Sequence, residues 1–292
     1  MRVTKSNIKS IILFLLPGLL VYTYFVVYPI IDSAVLSTYS WTTLANRTFV
    51  GFDNYISTFQ STLFWKSVRN SLIFMVATTV LQVAIGFFLG YLVYLQLRGY
   101  QFFKVIYFIP NILPSVAVGF IWSRIFSPSM GILKPLMAAV GLEEYYISPL
   151  ADPSLALVAV ILAHVWNQVG VQIILFNSGF MGIPNEVIES ASLDGAKGWK
   201  MIQYMIIPMS QETIKMVIIL QLTGALRAFD LIYVMTSGGP NHATEVLPMH
   251  LFVEAFKNFD YGVGSVIAVV IFVLSMLITV IMRKIMARDS LY

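Results

Sequence analysis

The sequence contains no cysteine and few charged residues. Only 11% of its 292 residues are Asp, Glu, Lys or Arg, whereas soluble domains contain about 25%. The lack of cysteine excludes disulfide bonds and thiolate metal sites. With 58% hydrophobic residues, the chain has too little polar surface to cover itself in water. The composition therefore predicts an integral membrane protein.

The chain also lacks the short motifs of several enzyme classes. It has no G-x-x-x-x-G-K-[ST] stretch for nucleotide phosphates, no H-E-x-x-H zinc motif and no G-x-S-x-G nucleophile turn. His164, His242 and His250 are too scattered to suggest a metal site. The net charge of +4 is too small to indicate nucleic acid. We therefore expect no catalytic residue, no bound metal and no nucleic acid partner.

Six apolar runs are long enough to cross a membrane, which requires about 20 residues. Because helices satisfy their own backbone in lipid, all six are predicted to be helical, in one all-α transmembrane domain over residues 1–292. The third run contains Pro110 and Pro114, which predict a kink. The second contains Gly86 and Gly90, which permit close helix packing. The predicted spans are residues 11–31, 70–97, 104–126, 155–178, 208–235 and 264–285.

The distribution of Lys and Arg predicts the orientation, because basic residues accumulate in short cytoplasmic segments. Both termini and the segment between the fourth and fifth spans are therefore expected to be cytoplasmic. Ten basic residues lie in the set of segments predicted to be cytoplasmic: Arg2, Lys5, Lys9, Arg98, Lys104, Lys197, Lys200, Arg283, Lys284 and Arg288. Six lie in the opposite set: Arg47, Lys66, Arg69, Arg124, Lys134 and Lys257.

A polar segment, residues 186–208, interrupts the apolar sequence before the fifth span. Its first half has the pattern of a short amphipathic helix, which Gly195 and Gly198 are expected to end. A left-handed conformation is expected at Gly195. A second helical pattern follows, and Pro208 predicts a kink or boundary. The predicted apolar side of the first helix is Val187, Ile188, Ala191 and Leu193, and the polar side is Glu186, Glu189, Ser192 and Asp194.

This segment resembles the EAA loop of binding-protein-dependent ABC importer permeases, whose pattern is E-A-A, three residues, Gly, nine residues and I-x-L-P. Here Glu189, Ser190 and Ala191 precede Gly195, and Met-Ile-Ile-Pro follows at 205–208 with three conservative departures. The resemblance implies that residues 180–207 form a coupling loop that docks on a separate ATPase subunit. An ordinary solvated loop is the alternative. The predicted coupling residues are Glu186, Glu189, Ala191, Ser192, Asp194, Gly195 and Ala196.

Two further stretches resemble the sugar-importing branch of this family. Thr-Ser-Gly-Gly-Pro at residues 236–240 follows Phe-Asp-Leu at 229–231, as in the maltose-type first permease, and residues 50–55 are similar to the family's outer loop. The resemblance implies the ABC type I importer permease fold, located in a bacterial inner or plasma membrane. It also implies that the chain translocates an oligosaccharide or a related polyol.

The resemblance further implies the partners of the chain. They are a second homologous permease in a heterodimer, two ATPase subunits, an extracellular or periplasmic solute-binding protein and membrane lipid. ATP and Mg²⁺ are expected on the ATPases, so this chain is expected to bind no cofactor and to be no enzyme itself.

Polar residues in the fourth and fifth spans predict a substrate cavity, since polar groups inside lipid usually face a cavity or another helix. His164, Gln168 and Gln172 recur at i, i+4 and i+8 on one helical face. Helix–helix hydrogen bonding is the alternative explanation. Arg227 and Asp230 are spaced for an ion pair. The predicted pathway residues are His164, Asn167, Gln168, Val171, Gln172, Gln221, Gly224, Ala225 and Ala228.

Two other functions are compatible with a polytopic chain. An ion-coupled secondary transporter needs buried carboxylates, but only Glu212 and Asp230 lie within the predicted spans, and both lie near span ends. A membrane enzyme needs a nucleophile and a base at span depth, and the sequence suggests no such pair. The ATP-driven importer is therefore the preferred prediction, with the secondary transporter as its alternative.

Overall fold

The computed structural model describes residues 5–43 and 46–287. Of the basic residues counted above, Arg2 and Arg288 lie outside this part of the chain. Backbone contacts group the chain into two units: one comprises residues up to Thr62 together with His250–Val273, and the other comprises Leu63–Met249 together with residues from Leu274 onward. The expectation of a single domain over residues 1–292 stays a prediction.

Helices dominate the described part of the chain. π-helical turns at Thr23–Val27, Ile202–Ile206 and Val253–Lys257 extend three of them, and a short 3₁₀ turn occupies Glu143–Tyr145. Strands β1 (Tyr39–Thr43) and β2 (Asn46–Phe49) pair in antiparallel fashion. Within the described residues the helices are α1 (Lys5–Tyr22), α2 (Tyr28–Leu36), α3 (Asp53–Gln60), α4 (Thr62–Tyr94), α5 (Tyr100–Ile112), α6 (Ser115–Ile125), α7 (Leu133–Ala139), α8 (Ala156–Met181), α9 (Asn185–Leu193), α10 (Trp199–Met201), α11 (Ile207–Met209), α12 (Gln211–Ala225), α13 (Asp230–Thr236), α14 (Leu247–Phe252) and α15 (Tyr261–Ala287).

The number of membrane-length segments agrees with the six predicted spans. Among the described residues, four helical stretches are long and apolar enough to cross a membrane, and two bent helix pairs raise the number to as many as six. The four stretches are Ile12–Leu36, Thr62–Tyr94, Ala156–Met181 and Tyr261–Met286. The bent pairs are Tyr100–Ile112 with Ser115–Ile125 and Trp199–Met209 with Gln211–Ala225.

In the first unit, a polar corner anchors the segment after α2. Asn54 of α3 donates through Nδ2 to the carbonyls of Ser37 and Tyr39, each at 2.9 Å. The hydroxyls of Ser37 and Tyr55 lie 2.7 Å apart. The stretch at residues 50–55 that resembles an outer loop thus holds the start of β1 against α3.

The third predicted span is broken, as its prolines indicated. Helices α5 and α6 meet at an angle of 98°, and Leu113 and Pro114 between them have extended backbone. Proline at 114 carries no N–H, so it cannot give the carbonyl of Pro110 its usual helical hydrogen bond. The kink predicted from Pro110 and Pro114 is confirmed, and it is a full break between two helices.

The fifth predicted span, residues 208–235, is wrong in its bounds. The membrane-length pair starts at Trp199 and bends by 73°, at Ser210, whose backbone leaves the helical region. Pro208 itself lies within α11, because proline is tolerated in a first helical turn. Helix α12 ends at Ala225, and a separate helix, α13, starts at Asp230. Residues 226–229 are apolar except for Arg227, so average hydropathy alone does not show this break.

Small residues allow close packing within the second unit. A β-carbon at Gly86 would lie 2.5 Å from Cβ of Gln172, and one at Gly90 would lie 2.9 Å from Cβ of Phe176. The glycine face of α4 is therefore used against α8 of the same chain. Likewise, a β-carbon at Gly170 would lie 2.6 Å from the Tyr107 carbonyl oxygen, so Gly170 brings α8 close to α5.

Candidate functional site

A polar cavity lies between the fourth span and the broken helices on either side of it. Its volume is about 240 Å³. Helix α6 begins after the proline break, and α13 begins after the break at residues 226–229. The first residues of both helices therefore line the same cavity as side chains from α8 and α12. The lining residues are Ser115, His164, Asn167, Gln168, Gln221, Gly224, Arg227, Ala228, Phe229, Asp230 and Leu231.

Six of the nine predicted pathway residues line this cavity. They are His164, Asn167, Gln168, Gln221, Gly224 and Ala228. Val171, Gln172 and Ala225 do not line it, and Ala225 is buried. The structure thus brings the fourth and fifth spans together around one space, while the transport role of these residues stays a prediction.

Gln172 lies elsewhere for a geometric reason. Eight residues at about 100° each rotate it by about 80° from His164 and move it about 12 Å along the helix. At that position the β-carbon of Gln172 packs directly against Gly86 of α4. With its amide oriented to satisfy its neighbours, Gln172 accepts a hydrogen bond from Nε2 of Gln221. The helix–helix alternative is therefore the observed arrangement for Gln172.

The expected ion pair between Arg227 and Asp230 is not formed among the described residues. Nε of Arg227 donates to the Thr223 carbonyl at 3.2 Å. The i,i+3 spacing brings side chains together only within one helix, and the helix ends at Ala225 before Asp230 starts the next. Both side chains instead line the cavity.

Two amides that support the cavity, one buried and one half-buried, were missed from the sequence. Gln82 of α4 is only 1% exposed and accepts a hydrogen bond from Gln221 Nε2. Asn111, between the two prolines, donates to Oε1 of Gln168 at 3.1 Å. A single amide in an otherwise apolar run, such as Gln82, was the available signal, because polar groups are expensive at span depth.

The second candidate site is the exposed helix α9, which carries the EAA resemblance. Glu186, Glu189 and Asp194 are exposed, whereas Ala191 is 8% exposed. Ala191 belongs to a buried apolar cluster, against which Ile188 and Ala196 also pack. The cluster comprises Phe87, Phe176, Phe180, Ile183, Ala191, Met201, Ile202, Ile206 and Val217. This packing presents the carboxylates of α9 outward from a rigid base.

The end of α9 is a Schellman motif. The amide of Ala196 donates to the Ala191 carbonyl at 2.9 Å, and the amide of Gly195 donates to the Ser192 carbonyl at 3.2 Å. Gly195 has φ of +85°, so the left-handed conformation expected there is confirmed. Ala191 and Ala196 make the apolar contact that commonly accompanies this motif.

Leu193 departs from the predicted helix pattern. It was placed on the apolar side of α9, but its side chain is 89% exposed. Five residues after Ile188, it is rotated by about 140° from that residue, and so it points away from the cluster. Ser192 is half-buried, and its hydroxyl donates to the Ile188 carbonyl at 2.8 Å.

The Thr-Ser-Gly-Gly-Pro stretch forms a loop that α4 holds in place. Nδ2 of Asn70 donates to the carbonyls of His242 and Glu245, at 3.1 and 3.0 Å. Nζ of Lys66 donates to the Asn241 carbonyl at 2.6 Å. Within the loop, the hydroxyl of Thr244 donates to the Gly239 carbonyl at 2.8 Å. The stretch thus has a structural role at one end of α4.

The known proteins that this chain resembles in sequence are named as transport permeases. Probable ABC transporter permease protein YurN of Bacillus subtilis is 30% identical over 275 residues, covering 93% of this chain and 94% of the relative. Multiple sugar-binding transport system permease protein MsmF of Streptococcus mutans is 30% identical, covering 93% of each chain. Trehalose/maltose transport system permease protein MalF of Thermococcus litoralis is 27% identical, covering 94% of this chain and 92% of the relative.

Solved structures share the fold. A chain of a bacterial alginate ABC transporter, in complex with alginate pentasaccharide-bound periplasmic protein, superposes with a TM-score of 0.84 at 20% identity, covering 100% of this chain and 99% of that one. A chain of the methionine ABC transporter MetNI gives a TM-score of 0.57 at 15% identity, covering 78% of this chain and 96% of that one. The predicted ABC importer permease fold is confirmed.

A family model covers most of the chain. The model described as "binding-protein-dependent transport system inner membrane component" matches residues 82–290, which include the cavity, α9 and the Thr-Ser-Gly-Gly-Pro loop. The chain therefore belongs to the family of inner membrane components of binding-protein-dependent transport systems.

Proposed function

We propose that this permease translocates a carbohydrate through the cavity between α8 and α12. The observation that carries the proposal is the lining of that cavity by neutral hydrogen-bonding groups, Gln168, Gln221 and His164. Amides both donate and accept hydrogen bonds, so they match hydroxyl groups, which do the same. Gly224 and Ala228 leave room beside them for a sugar ring.

The relatives support a carbohydrate cargo. The Streptococcus mutans and Thermococcus litoralis proteins carry names for multiple-sugar and trehalose/maltose transport. A Streptomyces coelicolor relative, 28% identical, is named for diacetylchitobiose uptake. We extend this substrate class to the present chain, as an oligosaccharide or related polyol.

The proposed complex supplies the energy and the cargo from partner chains. Two ATPase subunits would bind ATP and Mg²⁺, and one of them docks on α9 and its Gly195 turn. A second homologous permease completes a heterodimer, and a solute-binding protein delivers the sugar. The outward-facing carboxylates Glu186 and Glu189 can receive hydrogen bonds from basic groups or backbone amides of an ATPase.

Reconstitution tests the proposed function. The permease pair, the ATPases and the binding protein are placed in proteoliposomes containing ATP, and uptake of labelled maltose, trehalose and diacetylchitobiose is measured. Uptake of at least one sugar, dependent on the enclosed ATP and insensitive to a protonophore, supports the proposal. No uptake of any of the three by a complex that hydrolyses ATP counts against it. Sensitivity to the protonophore instead supports the ion-driven alternative.

Gln168→Ala is expected to slow sugar uptake by about two- to tenfold, the factor that corresponds to one lost net hydrogen bond. The complex should still assemble, because Gln168 lines a cavity and does not fill a packed core. Uptake and co-purification of the ATPases are measured in parallel. Gln101→Ala is the matched control, since Gln101 is exposed on α5 away from the cavity. Equal uptake by both variants and the wild type would contradict a substrate role for Gln168.

Cysteine labelling tests the orientation. The cysteine-free chain is its own unlabelled control. Ser129 and Lys284 are both exposed, and the charge bias places them on opposite sides of the membrane. A membrane-impermeant maleimide should label Ser129→Cys in intact cells and Lys284→Cys only after permeabilisation. The reverse pattern would place α9 and the C-terminal segment outside.

A further inference from the structure

Buried amides around the cavity form two hydrogen-bond chains, each of which ends on a cavity glutamine. One chain ends on Gln221 and the other on Gln168. Both start from a backbone carbonyl, which is a fixed point of the scaffold. An isolated glutamine amide can rotate by 180° and exchange its donor for its acceptor, so what holds the amide decides which group it presents.

The first chain runs from α8 through α4 to α12. Gln82 is buried and donates through Nε2 to the His164 carbonyl at 3.4 Å. Its Oε1 is thereby directed away from α8 and accepts the hydrogen bond from Nε2 of Gln221. Gln221 consequently has its nitrogen engaged by Gln82 and by Gln172, and its oxygen remains as an acceptor for a ligand hydroxyl.

The second chain begins at the proline break. Since Pro114 has no N–H for the Pro110 carbonyl, Asn167 donates to that carbonyl from Nδ2 at 2.6 Å. Oδ1 of Asn167 then accepts from Nε2 of Gln168 at 2.9 Å. Asn111 completes the arrangement by donating to Oε1 of Gln168 at 3.1 Å.

The close approach of α5 to α8 makes the second chain possible. At Gly170 a β-carbon would lie 2.6 Å from the Tyr107 carbonyl and 3.1 Å from Cα of Phe108. A larger residue would push α5 away and lengthen the bonds made by Asn167 and Asn111. Each of these two bonds fixes one end of the Gln168 amide, and each end keeps one further hydrogen-bonding valence for a ligand.

We propose that Gln82 and Asn111 are positioning residues for transport: they hold the amides of Gln221 and Gln168 in the one orientation that receives the sugar hydroxyls. This inference rests on the proposed function, because it assumes that the two glutamines contact the cargo. Neither Gln82 nor Asn111 lines the cavity, so each acts through its glutamine.

The test uses the complete reconstituted complex and whichever of maltose, trehalose and diacetylchitobiose the wild type takes up fastest. Gln82→Met and Asn111→Leu keep side-chain size but remove the hydrogen bonds, and each is expected to reduce uptake about three- to tenfold. Gln82→Glu, neutral in its protonated form, can still donate to the His164 carbonyl and accept from Gln221. It should restore uptake to within about twofold of the wild type, which loss of packing alone would not explain.

A double-mutant comparison separates positioning from independent effects. If Asn111 acts through Gln168, combining Asn111→Leu with Gln168→Ala should be no slower than Gln168→Ala alone. Asn177→Leu is the control, since Asn177 is a buried amide of the second unit whose side chain donates to the Met181 sulfur at 3.7 Å and does not line the cavity. It should transport normally if the complex assembles.

The outcomes distinguish this inference from the proposed function. Wild-type uptake by Gln168→Ala would refute the role of the cavity itself. Impaired uptake by Gln168→Ala with normal uptake by Asn111→Leu and Gln82→Met would refute positioning alone. The positioning role would also be refuted if the losses of uptake multiplied in the Asn111→Leu, Gln168→Ala double variant, or if Gln82→Glu did not restore uptake. If the Gln82→Met complex fails to assemble, the Asn111→Leu double-mutant comparison and the uptake by Gln82→Glu still test whether these amides position the glutamines.

Discussion

Gly195→Asp is expected to abolish sugar uptake while leaving the permease in the membrane. Gly195 has φ of +85°, where a β-carbon adds strain of about 1–2 kcal/mol. No atom of the residues that the structure describes lies within 4 Å of that β-carbon, so the substitution does not disturb packing among them. The new carboxylate adds charge beside Asp194, at the proposed ATPase-docking surface. We expect uptake to fall more than tenfold, with ATPase subunits lost on purification or hydrolysing ATP without transport.

Two controls separate the possible causes of this loss. Gly141 has φ of +75°, and again no described residue comes within 4 Å of an added β-carbon, but Gly141 lies in a segment predicted to be on the opposite side of the membrane. Gly141→Asp should therefore impose the same local strain and charge without affecting the ATPases. Gly195→Asn, of similar shape and neutral, should retain more uptake than Gly195→Asp. Normal ATPase recovery and normal uptake in Gly195→Asp would show that α9 is only a connecting loop.

The elements that sequence predicted well are those that local chemistry determines. Apolar runs of membrane length, the break at Pro110 and Pro114, and the left-handed Gly195 each follow from a property of a few consecutive residues. The amphipathic pattern of α9 also placed Ile188 and Ala191 on its buried side. The predicted pattern failed at the final turn, where Leu193 points outward because it lies about 140° around the helix from Ile188.

The features that sequence missed depend on which helices meet. Residues 226–229 are apolar except for Arg227, so average hydropathy does not separate α12 from α13. Gln82 and Gln221 are 139 positions apart, and no periodicity connects them. The glycines of α4 indicated close packing, but only the structure shows that their neighbour is α8 of the same chain. One helical face in sequence, His164 to Gln172, likewise divides between cavity and packed interface.

Gly224→Leu is expected to block the cavity without preventing assembly. Gly224 lines the cavity, and an added β-carbon would meet no atom within 4 Å in the part of the chain that the structure describes. A leucine there extends into a space of about 240 Å³, occupying room that a sugar ring needs and offering it no hydrogen bond. We expect sugar uptake to fall at least tenfold, while the ATPases still co-purify and still respond to the loaded binding protein.

Two other glycines serve as controls that distinguish a blocked cavity from a general effect of the added leucine. At Gly18 of α1, an added β-carbon would likewise meet nothing within 4 Å among residues 5–43 and 46–287. Gly18 lies far along the chain from the cavity residues, so Gly18→Leu should transport normally. Gly170→Leu would force α5 away from α8, and overpacking of this kind typically destabilises by about 1–3 kcal/mol; its complex should be recovered poorly. A Gly224→Leu complex that is recovered like Gly18→Leu and transports like the wild type would mean that the sugar does not pass beside Gly224. Poor recovery, as in Gly170→Leu, would mean instead that Gly224 packs against another subunit.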